Sequence, residues 1–175
     1  MGGRGAGALD PRLSMIARLV GSCESCADIG CDHGRLGAFL LQSGQCRRVL
    51  LTDISAPSLE KARALMHGLG LTDRARFSVG NGALALDETP QVAVIAGMGG
   101  TTIARILREG RERLDGARLV LQPNVASGEL LTKELQRWVK DRTAPYKFPR
   151  LIDYVEALPR TTNGKIRRAV LREWK

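Results

Sequence analysis

The chain has 175 residues, enough to bury one sizeable core, so we expect one domain or one domain with a small appendage. Its hydrophobic content of 43% is typical of a soluble globular protein, and no apolar run approaches the roughly 18 residues of a membrane span. The glycine-rich start lacks the apolar segment of a signal peptide. These properties argue against a membrane or secreted protein and predict a cytoplasmic one.

The net charge of +9 is unevenly distributed. From Thr132 to Lys175 there are 12 Lys and Arg against 5 Asp and Glu, so this part carries 12 − 5 = +7 and the first 131 residues carry the remaining +2. A polyanionic partner such as RNA would explain the basic tail. A solvated basic face would explain it equally well.

Predicted helices and strands alternate along the chain. Apolar residues at helical spacing indicate a helix over residues 13–20, and later helices are predicted over 36–41, from Ser55 to about 69, after Gly100 and over 130–139. Ser55 is a predicted N-cap, and Gly44 is placed to end the second helix. Short apolar runs predict strands at residues 25–29, 49–52, 75–79, 92–96 and 119–121.

This alternation predicts an α/β fold, a Rossmann-like, doubly wound parallel sheet of about five strands. In such sheets the ligand lies at the carboxyl ends of the strands. Polar residues or glycines follow or end each predicted strand, and together they predict a nucleoside-type pocket: Asp28, Asp53, Asn81, Gly97 and Asn124.

The turn after the first strand, DIGCDHG at residues 28–34, narrows the ligand class. Gly30 and Gly34 allow close approach to the backbone, and Asp53 can accept hydrogen bonds from ribose hydroxyls. Asp28 and Asp32 would repel the pyrophosphate of a dinucleotide. The turn therefore suits a cationic or neutral nucleoside, and S-adenosylmethionine is such a ligand.

The four cysteines, Cys23, Cys26, Cys31 and Cys46, all lie in the first third of the chain. Cys23 and Cys26 have the spacing of half a zinc site, but no second pair follows to complete four ligands. We expect no metal, and reduced thiols.

Four motifs resemble the bacterial tRNA (adenine-N1)-methyltransferases: LSMI at 13–16, ADIGCDHG at 27–34, IAGMGG at 95–100 and LQPN at 121–124. The resemblance covers residues 8–131 and implies a class of methyltransferases that use S-adenosylmethionine on a Rossmann-like sheet. It implies tRNA as the substrate partner.

The resemblance also implies residue roles. The cofactor would be bound by Asp28, Gly30, Gly34, Asp53, Ile54, Asn81, Gly82 and Gly97. The target base would be admitted beside it by Met98, Gly99, Gly100, Gln122, Pro123 and Asn124. Asn81 stands where the family usually has Asp, and its amide keeps a donor and an acceptor for an adenine edge.

Methylation of adenine N1 is an in-line displacement by an existing lone pair, so the enzyme mainly positions two reactants and accommodates the proton of the cationic product. Asp32 is the candidate for that acidic role and His33 a second one. Turn capping is the alternative for Asp32, and a helix-opening residue bonded to nearby backbone is the alternative for His33.

The last third resembles another family. Similarity to the C-terminal end of acyl-CoA synthetases is found in four stretches, 130–140, 143–149, 154–161 and NGKI at 163–166. In that family the lysine that corresponds to Lys165 contacts the reacting carboxylate and phosphate of the adenylation step. We therefore divide the chain into a methyltransferase-like core at 1–131 and a tail subdomain at 132–175. We interpret the whole chain as a fusion of these two parts or as a mis-assembled reading frame.

Three functions follow from these two resemblances. The first is a methyltransferase acting on tRNA adenine N1, truncated and weakly active or inactive. The second is a fragment of an acyl-CoA ligase. The third is a non-catalytic remnant that binds S-adenosylmethionine or RNA.

Overall fold

The computed structural model describes residues 9–124 together with Lys133 and Gln136. An α-helix comes first and five strands follow; an α-helix separates successive strands except the third and fourth, which are separated by a short 3-10 helix, Gly82–Ala85. The strands are β1 (Cys23–Ile29), β2 (Cys46–Asp53), β3 (Ala75–Val79), β4 (Val92–Gly99) and β5 (Arg118–Asn124), and the helices are α1 (Pro11–Val20), α2 (Arg35–Gln42), α3 (Ala56–Gly68) and α4 (Gly100–Glu109).

The five strands form one parallel sheet in the order β3-β2-β1-β4-β5. The central strand β1 is paired on both sides, and its last five residues are buried. Such consecutive burial is expected for a parallel strand with helices on both faces. The sheet confirms the predicted Rossmann-like α/β class.

Two apolar cores lie on the two faces of the sheet. One contains buried residues of α1, α2 and α3, including Ile16, Leu40 and Met66. The other contains buried residues of α4, including Ile103 and Leu107. The ends of β1 and β2 are therefore set between two packed layers.

The helix ends follow from local sequence. Asp10 caps α1, and its carboxylate accepts a hydrogen bond from the Leu13 N–H at 2.8 Å. Ser55 caps α3 as predicted, with its hydroxyl accepting from the Ser58 N–H at 3.3 Å. Gly44, with φ of 71°, follows the end of α2. A left-handed glycine in this position is a common way to end a helix.

The structure extends several predicted elements. Strand β3 has the predicted bounds, whereas β4 continues through Gly97 to Gly99, where the sequence suggested a turn. Lys133 and Gln136 are helical, in agreement with the predicted helix at 130–139. The other residues of that helix and Lys165 lie outside the described residues.

Candidate active site

The first turn is held against the end of β2. The N–H groups of Gly30 and Cys31 both donate to the Thr52 carbonyl, at 2.8 and 3.0 Å. The Asp53 carboxylate accepts from the Asp32 N–H at 2.9 Å and from the Ser55 N–H at 2.8 Å. Asp53 thus has a fixed orientation at the edge of the sheet.

Asp28 lies deeper than the other acids of the turn. Its side chain is 6% exposed, and it lines a cavity together with Arg12 and Gly30. Burial is the largest cause that raises the pKa of Asp28 to about 7; the Asp53 and Asp32 carboxylates also raise it, and the Arg12 guanidinium acts in the opposite direction. Asp28 is therefore poised to change its ionisation near neutral pH.

The glycines at the end of β4 form a bulge beside the turn. Gly97 has φ of 73°, and the pairing of β4 with β5 shifts between Ala96 and Met98. Gln122 accepts from the Gly97 N–H at 3.1 Å, and Asn124 donates to the Gly97 carbonyl at 2.9 Å. Bulges of this kind often redirect a strand next to a functional site.

The two amides of the LQPN motif therefore hold the backbone of Gly97. In β5, Pro123 is the register partner of Met98, and Asn124 is that of Gly99. Gly100 follows as the first residue of α4 and is buried. The structure brings all six residues predicted to bind the substrate to one edge of the sheet.

Arg12 was not predicted to belong to the site. Its guanidinium donates to the Gln122 side-chain oxygen at 3.1 Å, and a Cβ on Gly97 would come within 3.3 Å of it. Arg12 lies in the first turn of α1, where the helix dipole disfavours a cation. No local pattern in the sequence connects Arg12 with the site, because its partner Gln122 is 110 positions away.

Asp32 and His33 lie at the mouth of the site. The Asp32 side chain is 73% exposed and the His33 side chain 46%, and Asp32 Oδ1 is 3.5 Å from His33 Nε2. His33 Nε2 is also 3.3 Å from the Lys61 ammonium. Both of these contacts of His33 are with side chains.

Asn81 is bonded to α4. Its amide donates to Glu109 at 3.3 Å and accepts from Arg105 at 3.2 Å. A Cβ on Gly82, which has φ of 58°, would come within 2.8 Å of Ile106. The conformation of Asn81 and Gly82 is thus set by packing on α4. Ile54, which follows Asp53 in the chain, is 75% exposed.

The cavity beside the turn has a volume of about 90 Å³, whereas small-molecule sites usually span roughly 300–1,000 Å³. A Cβ on Gly30 would overlap the terminal methyl of Met98, so the flexible Met98 side chain covers the glycine. Displacing Met98 would widen the space between the turn and the bulge. The acids and the bare glycine backbone fit a cationic nucleoside, and among the described residues no cluster of metal-ligating side chains is present.

Parallel strands in this order, with acids at the ends of β1 and β2, define a Rossmann-like α/β protein of the kind that methyltransferases use. The chain belongs to the methyltransferase domain family, which matches residues 9–142. This membership confirms the predicted class of methyltransferases. The matched residues continue past 131, where the methyltransferase-like core is predicted to end.

Individual relatives share the core. The tRNA (adenine(22)-N(1))-methyltransferase of Bacillus subtilis is 31% identical over 119 residues, which are 67% of this chain and 50% of that protein. The crystal structure of the B. subtilis M1A22 tRNA methyltransferase TrmK superposes with a TM-score of 0.68 at 26% identity, covering 77% of this chain and 56% of that one. A Streptococcus pneumoniae protein in complex with S-adenosyl-L-methionine gives a TM-score of 0.70 at 33% identity, covering 74% and 62%.

A short stretch matches a different protein. The human mitochondrial acyl-coenzyme A synthetase ACSM2A is 63% identical over 49 residues, which are 27% of this chain and 8% of that synthetase. The chain thus spans half the length of its B. subtilis methyltransferase relative and less than a tenth of the synthetase.

In the part of the chain that the structure describes, no helix is long and apolar enough to cross a membrane.

Proposed function

We propose that this chain binds S-adenosylmethionine at the carboxyl edge of the sheet and transfers its methyl group to N1 of an adenine in tRNA. The observation that carries the proposal is the pair of acids, Asp28 and Asp53, on neighbouring strands at a glycine turn of a methyltransferase-family fold. The named activity of the B. subtilis relative supports the choice of tRNA adenine.

Asp53 is the group suited to the ribose. Each of its carboxylate oxygens accepts one backbone N–H, which leaves further lone pairs on both for ribose hydroxyls. Ile54 offers an exposed apolar surface next to it for the adenine ring. Asn81 and Gly82 would border the same ring, with Asn81 exchanging a partner on α4 for the base.

Asp28 is the group suited to the cationic end of the ligand. A bound positive charge near its carboxylate would favour the ionised form and offset the raised pKa. A side chain at Gly30 would enter this space, whereas a Cβ on Gly34 would meet Ala62 and Leu51 of the core, so Gly34 shapes the turn by its packing. Arg12, bonded to Gln122, would keep α1 against the opposite wall.

S-adenosylmethionine supplies an electrophilic methyl group on a sulfonium, and adenine N1 already has the lone pair that attacks it. The protein must therefore bring the two together in line. The Gly97 bulge, fixed by Gln122 and Asn124, would admit the base, with Met98 moving aside. Asp32 would accommodate the proton of the product, and His33, donating from Nε2, would hold that carboxylate in place.

Titration of the full chain with S-adenosylhomocysteine tests the cofactor site. We expect Asp53→Asn to weaken binding by about 10- to 100-fold, since hydrogen bonds to charged groups contribute about 1.5–3 kcal/mol. Asp87→Asn is the matched control, because Asp87 is a half-exposed acid bonded to Arg76 at 3.0 Å outside the site. Equal weakening by both variants would contradict the assignment.

Methyl transfer from labelled cofactor to tRNA tests the reaction. We expect label at adenine N1 with the unmodified chain and its loss with Asp28→Ala and Asp53→Ala. Cofactor binding without transfer would instead support a binding remnant. The short synthetase match supports a second candidate, a ligase fragment, which predicts binding of ATP and none of S-adenosylhomocysteine.

A further inference from the structure

Two cysteines lie at the amino ends of β1 and β2, at the edge of the sheet opposite to the candidate active site, and a third, Cys26, lies in the middle of β1. Cys23 begins β1, Cys46 begins β2, and the two are register partners on adjacent parallel strands. Their sulfur atoms are 2.7 Å apart. This distance lies between a non-bonded contact of about 3.5 Å and the roughly 2.05 Å of a disulfide, so a small side-chain movement would allow a bond.

The two thiols differ in access to solvent. Cys23 is partly exposed, whereas Cys46 is 1% exposed. The backbone around them is fixed, because the Cys23 N–H donates to the Gln45 carbonyl at 2.8 Å and the Arg74 guanidinium donates to the Cys46 carbonyl at 2.9 Å. A small oxidant from solvent therefore meets Cys23 first, with Cys46 held directly behind it.

The surroundings of Cys23 favour its thiolate. The pKa of Cys23 is lowered to about 6: hydrogen bonding with the Cys26 thiol is the largest cause, and Cys46 and the Arg118 guanidinium also lower the pKa, while burial and Glu24 raise it. Arg118 is held in place by the carbonyls of Leu19, at 2.7 Å, and Val20. The pKa of Cys26 is raised by the same hydrogen bonds and by burial, so Cys26 remains a protonated donor.

We propose that Cys23 and Cys46 form a peroxide-reactive dithiol, in which Cys23 is oxidised first and Cys46 converts it to a reversible disulfide. The Cys23 sulfur attacks hydrogen peroxide, the O–O bond breaks, and the hydroxide that leaves takes a proton to give water. Cys46 then attacks the sulfur of the Cys23 sulfenic acid, the S–O bond breaks, and a second water leaves. A thiolate with solvent access next to a resolving thiol is the usual arrangement of a redox-sensitive cysteine.

The disulfide would close a loop that contains the first turn and α2. Asp28 and Gly30 lie inside this loop, so oxidation would restrain the segment that carries the candidate active site. A cross-link over a loop of this size stabilises the folded chain mainly by restricting the unfolded one. We therefore expect a higher melting temperature for the oxidised chain, restored to the original value by dithiothreitol.

Mapping the oxidised cysteines tests the proposal. The full chain is reduced, exposed to hydrogen peroxide at pH 7, alkylated under denaturing conditions and analysed by peptide mass spectrometry. We expect the peptides of Cys23 and Cys46 to be joined with the loss of two hydrogen atoms, and to separate again with dithiothreitol. A link from Cys23 to Cys26, a link between two copies of the chain, or unreacted Cys46 would overturn it.

Three variants assign the roles. Cys46→Ser should leave Cys23 as a sulfenic acid that dimedone traps, and Cys26→Ala, which removes the donor to Cys23, should form the same disulfide several-fold more slowly. Cys31→Ser is the control for mapping, because Cys31 lies in the first turn and should not affect the link. If Cys46→Ser does not fold, the mapping of the unmodified chain still decides the proposal.

Discussion

The two edges of the sheet use the same two strands for different chemistry. At their carboxyl ends β1 and β2 present Asp28 and Asp53, and at their amino ends they present Cys23 and Cys46. Between these ends lie buried residues, among them Cys26 and Ala27 of β1 and Val49, Leu50 and Leu51 of β2. Reactive groups are therefore confined to the ends, where backbone hydrogen bonds and solvent can stabilise their charged forms.

The electrostatic environments of the two edges have opposite effects on thiols. At the carboxyl edge, burial and the Asp28 and Asp53 carboxylates raise the pKa of Cys31 far above its ordinary value. At the amino edge, Cys26, Cys46 and Arg118 lower the pKa of Cys23 to about 6. The same side chain is thus inert at one edge and reactive at the other.

Replacing Asp28 should have the largest effect on stability. A carboxyl whose pKa rises from 3.8 to about 7 on folding retains its proton longer in the folded chain, so the free energy of unfolding falls as pH rises through that window. The loss approaches roughly 4 kcal/mol at most, because each tenfold difference in proton affinity between the folded and unfolded chain corresponds to about 1.4 kcal/mol.

Denaturant unfolding from pH 4 to 8 measures this effect. Asp28→Asn has no proton to lose, so the stability of the unmodified chain should decline relative to that of the variant between pH 4 and 7 and run parallel to it above. Parallel curves across the whole range would show that Asp28 has an ordinary pKa.

Thiol labelling should show the next largest contrast. At pH 7 we expect Cys23 to react with iodoacetamide at least about 100-fold faster than Cys31, because the thiolate is the nucleophile. The rate at Cys23 should rise as pH increases through about 6 and then level off. Arg118 and Glu24 are the charged groups that set this midpoint, and Arg47 is 3.4 Å from Glu24.

Mass spectrometry of the chain after brief labelling at several pH values measures both rates. Arg118→Met should move the midpoint for Cys23 upward, while leaving Cys31 slow. Similar rates at the two cysteines would remove the electrostatic contrast between the edges.

Much of the fold followed from local patterns. The alternation of strands and helices, the bounds of β3 and the Ser55 cap depend on neighbouring residues, and the structure confirms them. The end of β4 was predicted less well, because the glycines at 97–100 resemble a turn. Pairing with β5 continues past Gly97 only through a bulge, and that depends on Gln122 and Asn124.

The parts of the two edges that were not predicted depend on distant pairings. Arg12 reaches Gln122 across 110 positions, and no spacing rule links them. Cys23 and Cys46 were expected to be ordinary thiols, since only the register of β1 against β2 shows that they are neighbours. The acids and glycines of the first turn were predictable because one short segment contains most of them.

The smallest expected effect comes from replacing glycines, and it distinguishes two reasons for a glycine: space for a ligand and a left-handed backbone. Gly30 has φ of 77° and Gly116 has φ of 79°, so alanine at either position should cost about 1–2 kcal/mol of stability. A Cβ meets nothing within 4 Å at Gly116, whereas at Gly30 it would overlap the Met98 methyl, in the space that we assign to the cofactor. Gly30→Ala should therefore also weaken binding of S-adenosylhomocysteine in calorimetric titration, by at least about tenfold, while Gly116→Ala should leave it unchanged. Removing the overlap with Met98→Ala should recover stability in the Gly30→Ala chain without recovering binding; recovery of both would mean that Gly30 makes room for Met98 and not for a ligand.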